Sequence, residues 1–197
     1  MASLSLLCAA KFTIFLSLAA QCFVLVASEI SHGEAEFGRT IDGEILKAKE
    51  TLTHLQVYWH DVLSGQNPTT MQVVASPLNK SRLSFGVVRV LDSPLTTGPD
   101  MSSKQVGKAQ GFYVQASQSD VALLMNMNFV FTEGKFNGSS IVVTGRNHVF
   151  SPVRELAVVG GTGLFRFCRG YASLKTNAFN LSTGDATVEY NLYVSHY

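Results

Sequence analysis

The stretch Val121-Ala122-Leu123-Leu124-Met125-Asn126-Met127-Asn128-Phe129-Val130-Phe131 decides how this chain folds. In it Leu123, Met125, Met127, Phe129 and Phe131 oppose Asn126 and Asn128, the alternation of a strand with one buried face. The same texture recurs on both sides. Residues 52–63 set Leu55, Val57, Trp59 and Asp61 against His54, Gln56, Tyr58 and His60. Residues 186–195 set Ala186, Val188, Tyr190, Leu192 and Val194 against Glu189 and Asn191. Further strands are expected over 71–75, 85–92, 105–116, 140–150 and 164–176, with Gly, Pro, Asn and Ser between them. No stretch has the 3.6-residue period of a helix, so the chain reads as an all-β sandwich or a closed barrel of eight strands. A barrel of about eight strands is just wide enough to hold one small ligand. Apolar residues fall on both strand faces, and an apolar outer face usually meets another protein, so an oligomer is expected.

The first 28 residues are different. Lys11 precedes an apolar run of about 15 residues, from Phe12 to Val26, which ends at the small residues Ala27 and Ser28. A spanning helix needs about 20 residues, so residues 1–28 read as a secretory signal peptide rather than an anchor. Residues 29–51 are polar and aperiodic, a flexible extension with one helical turn expected near 44–49. The barrel domain is placed at 52–197.

Composition narrows the function classes. The chain has 197 residues, of which 46% are hydrophobic and 15% charged, which excludes a disordered protein. Its net charge is +1 and its basic residues are scattered, so a nucleic-acid partner is not expected. Nor is a membrane partner, since no segment beyond the leader is long and apolar enough. Without the leader only Cys168 remains of the three cysteines, read as a buried, inert thiol. Asn79, Asn137 and Asn180 each open an acceptor triplet for N-glycosylation, consistent with secretion to the extracellular space.

Few chemical motifs are visible. The five histidines lack the spacing of a metal site, and no metal or other cofactor is expected. The run Gly160-Gly161-Thr162-Gly163 is followed by an apolar strand-like segment rather than a helix, so it reads as a tight turn, not a phosphate cradle. Asp61 stands out because it shares a face with Val57 and Trp59. A carboxyl on an apolar lining is desolvated, holds its proton longer and can donate it. Asp61 could equally cap the turn before Ser64-Gly65, and spacing alone leaves both readings open. By pattern, Tyr113 is a core tyrosine and Arg154 a solvated loop arginine.

Three blocks resemble the plant dirigent proteins: 57–65 (Val-Tyr-Trp-His-Asp-Val-Leu-Ser-Gly), 107–113 (Gly-Lys-Ala-Gln-Gly-Phe-Tyr) and 154–165 (Arg-Glu-Leu-Ala-Val-Val-Gly-Gly-Thr-Gly-Leu-Phe). They occur in the family's order and span essentially all of 52–197. The resemblance implies an eight-stranded antiparallel β-barrel with a central apolar pocket, trimeric, secreted to the apoplast. It implies small phenolic substrates and, in lignan-forming members, a separate laccase-type oxidase that makes coniferyl alcohol radicals. It assigns Asp61, Tyr113 and Arg154 catalytic positions, with Phe112 and Asn147 as substrate-binding neighbours.

One departure bears on activity. Lignan-directing members carry a second aspartate in a Gly-Ala-Asp segment, where this chain has Gly145-Arg146-Asn147. An amide cannot titrate, and the chain resembles the branch that includes pterocarpan synthases, where one acid suffices. Three functions are therefore expected in turn. The first is stereocontrol of monolignol radical coupling without a redox centre of its own. The second is a stereoselective cyclising dehydratase acting through a quinone methide. The third is a non-catalytic defence protein that binds phenolics.

Overall fold

In a computed structural model that describes residues 42–76 and 83–197, alternation along nine strands closes an antiparallel barrel. The chain divides at Gly43, and the barrel belongs to the unit that starts at Glu44. A short 3₁₀ turn over Glu44–Lys47 agrees with the expected helical turn. The strands are β1 (Thr51–Asp61), β2 (Thr70–Val74), β3 (Val88–Thr96), β4 (Gln105–Gln115), β5 (Ala122–Phe131), β6 (Ser140–His148), β7 (Arg154–Thr162), β8 (Arg169–Phe179) and β9 (Ala186–His196).

Neighbours run in the order β1-β9-β8-β7-β6-β5-β4-β3-β2, and β1 also pairs with β3. The ring thus holds eight strands, with β2 added outside it along β3. The seam is short, because only Tyr58↔Thr96 and Trp59↔Leu95 join β1 to β3. By contrast, β1 and β9 are in register from Thr51↔His196 to Asp61↔Ala186.

Membership of the ring differs from the sequence reading in two places. β7 was not among the expected strands, and β2, which was, lies outside the ring. Arg154, Leu156 and Val158 of β7 face inward, while Glu155, Ala157 and Val159 face out. The strand is masked in sequence because it ends in Gly160-Gly161-Thr162. Gly161 is there for close approach: a Cβ would lie 2.4 Å from the Ser140 carbonyl oxygen and 2.8 Å from Phe165. Gly163, at φ +62°, starts the turn itself. Leu164 and Phe165 are consequently not strand but a 3₁₀ turn, and β8 begins only at Arg169.

The core fills one end of the barrel. Met125, Met127, Phe129, Ile141, Tyr190 and Leu192 are fully buried on the inner face. Phe165 plugs that end, stacked on Phe136 at 5.1 Å. Cys168 is buried and free. Outside, Met71, Val90 and Phe112 lie side by side across β2, β3 and β4, and all are exposed. Among the described residues no helix is long and apolar enough to cross a membrane.

Candidate functional site

The other end of the barrel is hollow. A cavity of about 180 Å³ is lined by Trp59, Asp61, Tyr113, Asn147, Arg154 and Val188, among others. A larger, shallower cleft of about 620 Å³ shares Asp61, Phe179 and Ala186 with it. The loop after β1 and the loop before β9 are tied together at the mouth. Asp185 accepts hydrogen bonds from the backbone N–H groups of Leu63 (2.7 Å) and Ser64 (3.0 Å).

Asp61 ends β1 facing inward, 6% exposed, so the lining reading prevails over the turn-cap reading. The Tyr113 hydroxyl donates to its Oδ2 at 3.1 Å. Oδ1 is buried with no protein partner. Burial pushes the Asp61 carboxyl up to about 6; hydrogen bonds from Thr70 and Tyr113 and the nearby Arg89 charge oppose the shift. Since Oδ2 accepts from Tyr113, Oδ1 is the oxygen left free to carry the acid proton. Burial and the adjacent Asp61 charge also raise the Tyr113 hydroxyl pKa, so Tyr113 stays a hydrogen-bond donor.

Arg154 is not a solvated loop arginine. It opens β7 with 6% exposure, and its Nη1 donates to the Val149 carbonyl (2.9 Å) and the Thr176 hydroxyl (2.7 Å). Its Nε is buried without a partner, and burial lowers its pKa. Among the described residues no carboxylate pairs with it. Chain oxygens satisfy Nη1, and the Nε–H is the guanidinium donor left without a protein partner.

Asn147 faces inward from β6, 4% exposed, with its Oδ1 unpartnered. Phe112 does not join the cluster. Its neighbour Tyr113 points in, so alternation turns Phe112 out, where it is 38% exposed. Asn137 and Asn180 are exposed, while Asn79 lies outside the described residues.

Sequence reasoning missed three members of the site. Trp59 is 2% exposed with an unpartnered Nε1. Thr176 anchors Arg154, and the Arg89 guanidinium lies 5.9 Å from the centre of the Tyr113 ring. Trp59 could have been found, since it shares the inner face of β1 with Asp61. Arg89 and Thr176 left no local signal, because they meet the site only through barrel closure. Among the described residues no three His, Cys, Asp or Glu side chains cluster as a metal site would.

The barrel thus presents one protonatable carboxyl in an apolar cavity, facing hydrogen-bonding groups that lack partners. That arrangement can protonate a departing oxygen and orient an aromatic ring.

Comparison with known proteins bears on the family and the fold. The Dirigent-like protein family matches residues 52–195. Dirigent protein 21 of Arabidopsis thaliana is 52% identical over 148 residues, 75% of this chain and 78% of its own length. Pterocarpan synthase 1 of Glycine max is 50% identical over 152 residues, 76% of this chain and 81% of its own. A solved pterocarpan synthase dirigent protein superposes with a TM-score of 0.72 at 48% identity, covering 76% of this chain and 87% of the other. The chain belongs to the dirigent family.

Proposed function

We propose that this dirigent-family protein is a stereoselective cyclising dehydratase that acts on a hydroxylated isoflavan through a quinone methide. One observation carries the reading. Asp61 is the one carboxyl among the described residues that line the cavity, and Asn147 stands where a second acid would be needed for a two-carboxylate site. The 50% identity to a pterocarpan synthase supports the same choice.

The reaction balances on one side chain. The Asp61 Oδ1–H protonates the hydroxyl on the benzylic carbon, the C–O bond breaks and water leaves. The phenol para to that carbon releases its proton to solvent, from which it is later regained, and becomes the quinone carbonyl. The internal phenol then attacks the methide carbon, its proton passes to the Asp61 carboxylate, and the quinone oxygen regains a proton. The sum is loss of one water, with Asp61 restored. Apolar walls that favour one face by about 1.4 kcal/mol give tenfold selectivity.

Stereocontrol of monolignol coupling is the second reading, supported by the similarity to Dirigent protein 21. It requires the space around Asp61 to hold two monolignol units at once, where the first reading needs one ligand. On either reading the protein works secreted in the apoplast. The exposed Asn137 and Asn180 would carry glycans, and the apolar stripe through Phe112 would serve a trimer contact.

A paired chiral product assay tests the choice. Cyclised product from a 4-hydroxyisoflavan with no oxidase present establishes the dehydratase. Enantiomeric excess only with coniferyl alcohol and a laccase establishes coupling control. Silence in both arms refutes both readings and places the substrate outside these two classes.

A further inference from the structure

Four unpartnered buried atoms around the cavity differ in polarity, and the barrel sorts them by wall. On β1 stand the Trp59 Nε1–H, a donor only, and two residues on, the Asp61 Oδ1. On β6 and β7 stand the Asn147 Oδ1, an acceptor, and the Arg154 Nε–H, a donor. In the eight-strand ring β1 and β6 are four strands apart whichever way one counts, so they face each other across the cavity. Each residue is at most 6% exposed, and all four line the same space. A buried polar group without a partner costs stability, which a ligand that completes it would restore.

We infer that Trp59 is a substrate-binding residue: its indole N–H holds an acceptor oxygen beside Asp61, while Asn147 and Arg154 on the opposite wall clamp a phenolic hydroxyl. A phenol fits that wall because it donates to the Asn147 Oδ1 and accepts from the Arg154 Nε through one oxygen. The β1 wall asks for an oxygen that accepts. The ligand class is therefore an aromatic molecule with a free phenol at one end and an acceptor oxygen at the other. Trp59 adds orientation to the Asp61 chemistry, because it fixes the oxygen that Asp61 protonates. This assignment rests on the isoflavan reading above and sharpens it.

Equilibrium binding tests it without turnover, using 7-hydroxyisoflavanone, whose C4 carbonyl accepts but cannot leave. The companions are 7-hydroxyisoflavan, which lacks the C4 oxygen, and 7-methoxyisoflavanone, which lacks the phenolic hydrogen. Calorimetry at pH 5 on the wild type should show the first probe binding about tenfold more tightly than either companion, the worth of one well-placed hydrogen bond. Trp59→Phe should lower the preference for the C4 carbonyl, leaving only the part that the Asp61 proton supplies. Asn147→Leu should erase the preference for the free phenol. An undiminished C4 preference in Trp59→Phe overturns the assignment. Should that variant fail to fold, equal wild-type affinities for the first two probes overturn it alone. If the wild type binds none of the three, the isoflavan reading fails and this assignment with it. Binding indifferent to both oxygens overturns this assignment only.

Discussion

Replacing Asp61 with Asn should make the protein more stable and inactive in one step. The carboxyl titrates at about 6 inside the fold, against 3.8 for an unburdened aspartate. The folded state therefore binds this proton more tightly than the unfolded chain does. The resulting stabilisation is full below pH 3.8, is lost as pH rises to about 6, and leaves a constant penalty above that. A gap of about two pH units corresponds to about 3 kcal/mol, at ~1.36 kcal/mol per unit. Asparagine has the same shape, cannot ionise and can still accept the Tyr113 hydrogen bond. Urea and thermal unfolding of both proteins at pH 4 and pH 7.5 measure the effect. Near pH 4 the two should nearly coincide. At pH 7.5 the variant should be ahead by about 2–3 kcal/mol, or about 5–10 °C in Tm for a domain of this size. Turnover should fall by about 10²–10⁴-fold, the usual worth of a general acid. An equal stability difference at both pH values would refute the claim that Asp61 is buried and reluctant to ionise.

Tyr113→Phe removes a hydrogen bond that favours the ionised carboxylate, so Asp61 should titrate higher. The upper limb of the pH–rate profile, expected near 6 in the wild type, should move to higher pH; an unmoved limb excludes the contact. Asn147→Asp places a second carboxyl in the cavity, and mutual repulsion should raise the apparent pKa values of the pair, read by the pH dependence of product formation. The same variant should keep or strengthen the preference for a free phenol above pH 6, because a carboxylate accepts the phenolic hydrogen at least as well as the Asn147 Oδ1 does. Gly111→Ala would bring a Cβ to 2.2 Å from the Asn126 carbonyl oxygen, so β4 must shift. A loss of about 2–3 kcal/mol is expected by thermal denaturation, and a loss under 0.5 kcal/mol would show that β4 yields freely.

The barrel was legible because its inner face is written as alternation: Val57, Trp59 and Asp61 on β1, and Met125, Met127 and Phe129 on β5 are read directly. β7 escaped because Gly160 and Gly161 imitate turn chemistry, although both lie in the strand and Gly161 is glycine for close packing. Arg154 follows Pro152-Val153 and looks like a loop residue until β7 turns it inward. The site itself was legible in part. Asp61, Tyr113, Asn147 and Arg154 converge because four different strands aim them inward, which family resemblance implies but local pattern does not. Phe112 shows the converse limit: the sequence reading made it a substrate-binding residue, and the pleat put it on the face opposite Tyr113.

Trp59 is the chain's one tryptophan, and it forms part of the cavity wall. All indole emission from this protein therefore originates in the candidate site. Its spectrum reports the polarity of that space, and a bound aromatic ring within contact of the indole would quench it or shift it. The chain carries its own occupancy gauge, readable at micromolar concentration without a label, before any product has been identified.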